Sequence, residues 1–145
     1  MPLYKQDIIT DWVAYTPTLV GFGTVSGSTF YSRRVGSSLH IKGSFTTGTC
    51  TATEARLPIG FNGSSANVTI NSTITGTGSV VGGGTGSTGA AFSQIAPIVT
   101  GANTYLCLGL QSAITSIQNA INGNALSNSS YVQFFAEVPI SGWTA

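Results

Sequence analysis

Charged side chains are scarce in this chain. Only 6% of the 145 residues are Asp, Glu, Lys or Arg, and the formal net charge is +1; an average soluble protein has about a quarter. Residues 57–136 contain no acidic residue, lysine, arginine or histidine. This balance excludes a basic nucleic-acid surface, which needs clustered Lys and Arg. It also excludes intrinsic disorder, which combines high net charge with low hydrophobicity, since 41% of the chain is hydrophobic.

Cysteines and long apolar runs are also scarce. Cys50 and Cys107 are the only cysteines, too few for a disulfide-rich scaffold. They could pair if the fold brings them together, but we expect two free buried thiols. The apolar residues occur in short runs, so no stretch reaches the ~20 residues of a membrane-spanning helix. Small polar groups replace the missing charge, because Gly, Ser and Thr occupy 57 of the 145 positions.

The side chains required for acid–base or metal chemistry are few: Asp7, Asp11, Glu54, Glu137 and the single His40. Metal sites normally need three or four ligands close together, so we predict no metal site. Glu54 and Glu137 could in principle form a glycosidase pair. However, Glu54 lies two residues before Arg56, and a local ion pair is the simpler interpretation. We predict that the protein is not an enzyme.

Residues 84–89 match the pattern G-x-G-x-x-G. A dinucleotide site also requires a preceding strand, a following helix and an acidic residue about 20 positions later. No acidic residue follows before Glu137. We therefore predict a surface loop here and no cofactor.

The dominant pattern is an alternation of apolar and polar side chains, which is typical of strands. It predicts strands at residues 18–24, 29–35, 38–45, 67–75, 91–99, 105–110 and 131–140. Predicted turns lie at residues 26–28, 35–37, 61–63 and 76–89. Short strands between such turns indicate an all-β fold, an antiparallel jelly roll or sandwich. We assign residues 1–10 to an N-terminal arm and residues 11–145 to a single β jelly-roll domain.

One segment has a helical period. Ile114, Ile117 and Ile121 are spaced by three and four residues. The spacing predicts one short helix that begins after Ser112 and ends at Gly123.

Arg33 and Arg34 form the only concentrated positive charge. In a strand they point to opposite faces, so at least one is directed toward a core or an interface. A buried arginine needs a partner, and Glu54, Glu137 or backbone carbonyls are the candidates. Binding of an acidic sugar is the functional alternative.

The last predicted strand is apolar on both faces. One face carries Val132, Phe134, Ala136, Val138 and Ile140. Tyr131 and Phe135 make the opposite face partly apolar. A strand of this kind is usually covered on both sides, which predicts a subunit contact. The candidate interface residues are Tyr131, Phe134, Phe135 and Trp143, and no ligand-binding residue is assigned.

A series of short motifs follows in order along the chain. They are Trp12, Tyr-Thr-Pro-Thr at 15–18, Gly-Phe-Gly-Thr at 21–24, Arg-Arg-Val-Gly at 33–36, Gly-Ser-Phe-Thr at 43–46, Thr-Ala-Thr-Glu-Ala-Arg-Leu-Pro at 51–58 and Val-Pro-Ile-Ser-Gly-Trp at 138–143. The series resembles a β-domain of tail-fibre and other virion structural proteins of tailed bacteriophages. The resemblance covers both ends of the chain and implies a non-enzymatic jelly-roll module, assembled as a homotrimer and exposed on the virion surface.

Two functions are compatible with this resemblance. One is a tail-fibre or receptor-binding tip that attaches to a host-surface glycan, because hydroxyls, amides and a few aromatic rings suit sugars. The alternative is a capsid decoration, cement or head-fibre protein anchored by its N-terminal arm. The expected partners are two further copies of the chain, other tail or capsid proteins and a host glycan, without nucleic acid or membrane insertion.

Overall fold

A computed structural model describes residues 8–71, 78–79, 81–87, 92–99, 104–110 and 119–144 of the chain. These residues are organised mainly as β-strands, as the alternating pattern predicts. The strands are β1 (Val13–Tyr15), β2 (Ser26–Val35), β3 (Ser38–Thr46), β4 (Arg56–Pro58), β5 (Gly60–Phe61), β6 (Ser64–Ser65), β7 (Gly78–Ser79), β8 (Val81–Ser87), β9 (Phe92–Val99), β10 (Tyr105–Leu110), β11 (Asn119–Ala120) and β12 (Tyr131–Pro139). The only helical element within the described ranges is a 3₁₀ turn at Gly123–Ala125.

The main sheet is antiparallel and follows the order β1-β2-β3-β12-β8-β9-β10-β11. β4 pairs with β10 and β7 with β9, whereas β5 and β6 form a separate hairpin. β9 joins the two halves of the main sheet, β1-β2-β3-β12-β8 on one side and β10-β11 on the other. Its first residues pair with β8, and Ala96, Pro97 and Ile98 pair with β10. The predicted all-β, antiparallel class is confirmed.

Inward-facing side chains from both halves of the sheet pack into one hydrophobic core. Buried members from the strands include Phe30, Leu39, Ile41, Phe45, Leu57, Leu106, Leu108, Val132, Phe134 and Val138. The apolar face of the predicted strand at residues 131–140 is therefore buried, and the alternating apolar residues of 38–45, Leu39, Ile41 and Phe45, are buried as well. Burial of each such side chain contributes about 1.5–3 kcal/mol relative to an exposed one.

Two hydrogen bonds link the first strands to the segment around β5. The Ser32 hydroxyl donates to the Gly60 carbonyl at 2.6 Å, and the Tyr15 hydroxyl donates to the Pro58 carbonyl at 3.0 Å. Ser32 is only 1% exposed, so its bond satisfies a polar group that would otherwise be costly to bury.

The glycine-rich segment is a strand where a loop is predicted. Val81–Ser87 forms β8, which lies between β12 and β9. A Cβ atom on Gly84 would clash with the Gln133 carbonyl oxygen and lie 2.9 Å from Phe134 Cβ. Glycine therefore allows β8 to lie this close to β12. The predicted turn at residues 76–89 is wrong for residues 78–79, which form β7, and for residues 81–87. Residues 76–77, 80 and 88–89 fall outside the described part.

Two other local predictions are also wrong. The predicted turn at residues 26–28 is the start of β2, where the pairing with β3 shifts register between Ser26 and Thr29. The predicted strand at residues 18–24 makes a single bridge, from Val20 to Arg56. Gly21, with φ of +95°, interrupts the extended backbone there. The turns at residues 35–37 and 61–63 are confirmed.

The remaining two differences lie near gaps in the described chain. Residues 67–71 of the predicted strand at 67–75 make only one bridge, between Ile70 and Ile140. The Asn67 side chain bonds both the N–H and the carbonyl of Phe61, and such local bonds compete with a strand ladder. Residues 112–118 of the predicted helix fall outside the described part. The described residues of its second half form no α-helix, because Asn119–Ala120 is β11 and Gly123 begins the 3₁₀ turn.

Candidate functional site

The outer face of the main sheet carries two adjacent rows of side chains. Strand pairing aligns Tyr31, Lys42, Phe135 and Gly83 across β2, β3, β12 and β8. The neighbouring row aligns Thr29, Ser44, Gln133 and Thr85. Because alternate residues share a face of a strand, both rows lie on the side opposite the core. One row is therefore aromatic and cationic, and the other consists of hydroxyls and an amide.

These rows line an open groove of about 550 Å³, which we call the outer groove. Its lining consists of Thr29, Tyr31, Lys42, Gly43, Ser44, Gly83, Gly84, Thr85, Tyr131, Gln133, Phe134 and Phe135. Gly83 leaves space beside Phe135, since a Cβ atom at this position would lie 3.9 Å from Phe135 Cε1. The groove thus exists because β8 presents glycine where its neighbours carry large side chains.

The four predicted interface residues do not form one surface. Phe135 and Tyr131 are 53% and 50% exposed and both line the outer groove. Phe134 is 5% exposed and faces the core, with its ring 5.8 Å from that of Phe30. Trp143 packs elsewhere, 4.9 Å from the Phe61 ring. The placement of Phe134 and Trp143 leaves Tyr131 and Phe135 as the exposed aromatic pair. An interface between subunits stays a prediction.

Two cations converge on one indole ring beside the groove. The Arg33 guanidinium carbon lies 4.7 Å from the centre of the Trp12 ring, and Lys42 Nζ lies 4.3 Å from it. Lys42 Nζ is also 5.7 Å from the centre of the Tyr31 ring. We call Trp12, Tyr31, Arg33 and Lys42 the cationic cluster. Sequence reasoning missed it, because these residues become neighbours only through the pairing of β1, β2 and β3.

Arg34 is held away from this cluster. Its Nε donates to the Gly36 carbonyl at 2.7 Å and its Nη2 donates to the Thr144 carbonyl at 2.9 Å. Its guanidinium carbon stacks 4.7 Å from the centre of the Trp143 ring. Backbone carbonyls were among the partners predicted for a buried arginine, and Arg34 donates to two of them.

Among the described residues, Glu54 and Glu137 each lie close to one basic side chain. Arg56 Nε lies 3.0 Å from Glu54 Oε1, which confirms the predicted local pair. This hydrogen bond with Glu54 raises the pKa of Arg56. His40 Nε2 lies 3.7 Å from Glu137 Oε1 on the outer face. Glu54 and Glu137 thus lie beside different basic partners, Arg56 and His40.

Both cysteines are buried thiols, as expected. The Cys50 thiol lies 3.6 Å from the Ser127 carbonyl oxygen, and the Cys50 N–H donates to Asn128 Oδ1 at 2.8 Å. Within the described ranges, no group of three or more His, Cys, Asp or Glu side chains is placed to hold a metal ion. The same ranges hold no helix with the length and apolarity needed to cross a bilayer.

Comparison of this chain with protein-family models, curated proteins and solved structures found no match.

Proposed function

We propose that this protein is a non-enzymatic structural module of a bacteriophage virion, a jelly-roll domain of a tail fibre or receptor-binding tip that attaches to a host-surface glycan. The virion context rests on the ordered sequence motifs at both ends of the chain. The attachment role rests on one observation. An open groove on the outer sheet face places exposed aromatic rings beside a row of hydroxyl and amide groups.

The two rows of the outer groove match the two kinds of surface on a sugar. A pyranose ring has an apolar face of C–H groups, which packs against aromatic rings such as Phe135 and Tyr131. Its hydroxyls require hydrogen-bond partners, and Thr29, Ser44, Gln133 and Thr85 supply them along the same groove. Binding sites generally combine apolar walls with a few placed polar groups.

A second candidate is a contact between copies of this chain through Tyr131 and Phe135. Their exposure favours this alternative, since apolar patches often mark protein interfaces. Lys42 argues against it, because this residue lies opposite Phe135 in the strand pairing. Lys42 makes no ion pair with any acidic residue in the described part of the chain. A tight contact between copies would bury this cation, which is costly without a partner.

A glycan array tests the attachment role. The labelled protein is applied to immobilised bacterial surface polysaccharides and their oligosaccharide fragments. We expect binding to at least one class, and Phe135→Ala should weaken it about tenfold through loss of ring stacking. Thr18→Ala is the control, because Thr18 is exposed and lies outside the groove. Absence of any binding, or equal binding by Phe135→Ala, would contradict the proposal.

The virion context requires a separate measurement. Cryo-electron microscopy of a particle that carries this chain would locate its density. Density at the end of a tail fibre is expected for an attachment module. Density on the capsid shell would favour the alternative of a decoration, cement or head-fibre protein.

A further inference from the structure

The cationic cluster bears on the charge of the glycan that the outer groove would bind. This inference rests on the proposed attachment role. The chain has five Lys and Arg residues and four Asp and Glu residues in total. Two of the cations, Arg33 and Lys42, nevertheless stack on the same Trp12 ring. Neither forms an ion pair within the described residues, where the only pairs join His40 to Glu137 and Arg56 to Glu54.

Arg33 lies against Trp12 within the cluster. The Arg33 Nε atom is buried and makes no hydrogen bond in the described structure, and the guanidinium carbon lies 4.7 Å from the centre of the Trp12 ring. Placing two cations near one aromatic ring brings like charges close together, which is unfavourable unless an anion or solvent compensates. The attraction of each cation to the indole offsets part of this repulsion.

Lys42 connects the cluster to the outer groove. It is exposed and lines the groove beside Tyr31 and Ser44. Lys42 and Phe135 face each other across β3 and β12, and both line the groove. A sugar ring stacked on Phe135 would therefore lie beside the Lys42 side chain, whose ammonium group lies over Trp12 and Tyr31 on the β2 side of the groove. The acidic residue nearest in the pairing is Glu137. It lies two residues after Phe135 on β12, on the same face of the sheet, and pairs with His40 of β3.

We infer that the outer groove binds an anionic saccharide, with the carboxylate or phosphate of the sugar held by Lys42 and the sugar ring packed on Phe135. The Trp12 ring, which lies 4.3 Å from Lys42 Nζ, holds the ammonium group at the edge of the groove. Uncharged hydroxyls alone would serve a neutral glycan equally well. Lys42, which has no acidic partner among the described residues, is what selects a negative charge.

Titration calorimetry with matched ligands tests this inference. The carboxylate probe is a hexuronate oligomer, and its methyl ester has the same rings without the charge. The phosphate probe is a hexose phosphate, compared with the free hexose. We expect the protein to bind at least one charged probe about ten- to hundredfold more tightly than its neutral counterpart, as for a hydrogen bond to a charged group. Added salt should reduce this preference.

Three variants test whether Lys42 causes the preference for the charged probe. Lys42→Gln should abolish it, and Lys42→Arg should retain most of it because the positive charge remains. Arg56→Gln is the matched control, since Arg56 also stacks on an aromatic ring, Tyr105, but has Glu54 as its acidic partner. Circular dichroism confirms that each variant is folded. Should Lys42→Gln not fold, the comparison of parent and Lys42→Arg with charged and neutral probes decides.

The outcomes separate this inference from the proposed function. Equal affinity for charged and neutral probes, or binding only to neutral glycans on the array, would overturn the anionic ligand and leave glycan attachment intact. A charge preference that survives in Lys42→Gln would also overturn it, because the anion would then bind elsewhere. Absence of binding to every glycan would overturn both.

Discussion

We expect the free energy of unfolding to fall at alkaline pH because Tyr15 is buried. Tyr15 is 4% exposed, and burial raises its pKa above the usual value. The native state therefore keeps the phenol proton when the unfolded chain loses it above about pH 10. The contribution of Tyr15 to stability is fully present below that pH and is lost as the pH rises toward the native pKa.

We expect Tyr15→Phe to lose about 0.5–1.5 kcal/mol at neutral pH, because the Pro58 carbonyl loses its hydrogen-bond donor. This deficit should shrink by about 1 kcal/mol between about pH 9 and about pH 11, since the phenylalanine variant has no phenol to ionise. Urea unfolding at the two pH values measures both effects. Tyr131→Phe is the control, because the Tyr131 side chain is half exposed. A deficit that is the same at both pH values would contradict the argument.

At the scale of one element, the effect of replacing a glycine in strand β8 depends on which face of the strand the glycine occupies. Gly84→Ala would force a Cβ atom against the Gln133 carbonyl oxygen of β12. Gly83→Ala on the other face would meet only Phe135 Cε1 at 3.9 Å, an ordinary contact. We expect Gly84→Ala to lose about 1–3 kcal/mol, as in overpacked sites. Gly83→Ala should change the unfolding free energy by no more than about 0.5 kcal/mol.

Denaturant titration of both variants decides the role of β8. Similar losses in the two variants would mean that glycine is needed for backbone freedom rather than for the close approach to β12. No loss in either would mean that β8 does not lie against β12 as described.

The elements differ in how far their sequences predicted them. β3 and β12 were predictable, because an alternating pattern with one strongly apolar face determines which side chains point inward. β8 was not, since a run of glycines carries no alternation and its strand exists only through pairing with β12 and β9.

The candidate site was predictable only in part. The same alternation indicates that Phe134 and Phe135 point to opposite faces, so grouping both in one interface conflicted with the strand pattern itself. The contact of Lys42 with Trp12 could not be predicted, since it depends on which strands become neighbours.

At the scale of the whole molecule, two proposals differ in what covers the outer groove, a sugar or a second copy of the chain. Phe135→Asp distinguishes them, because it places a carboxylate in the centre of the groove. A contact between copies would then bury an unpaired charge and weaken. If a sugar occupies the groove, the free protein keeps Phe135 in water, and the substitution leaves its assembly unchanged.

We expect the parent to have the mass of a trimer, as the resemblance implies, and Phe135→Asp to have the same mass in light scattering. Both masses should persist at high salt, since screening weakens exposed charge pairs but not apolar burial. Thr18→Asp adds the same charge outside the groove and is the control. A trimeric parent with a smaller Phe135→Asp species would assign Tyr131 and Phe135 to the subunit interface. Their rings would then be covered in the assembled protein, and the glycan would have to bind at another surface.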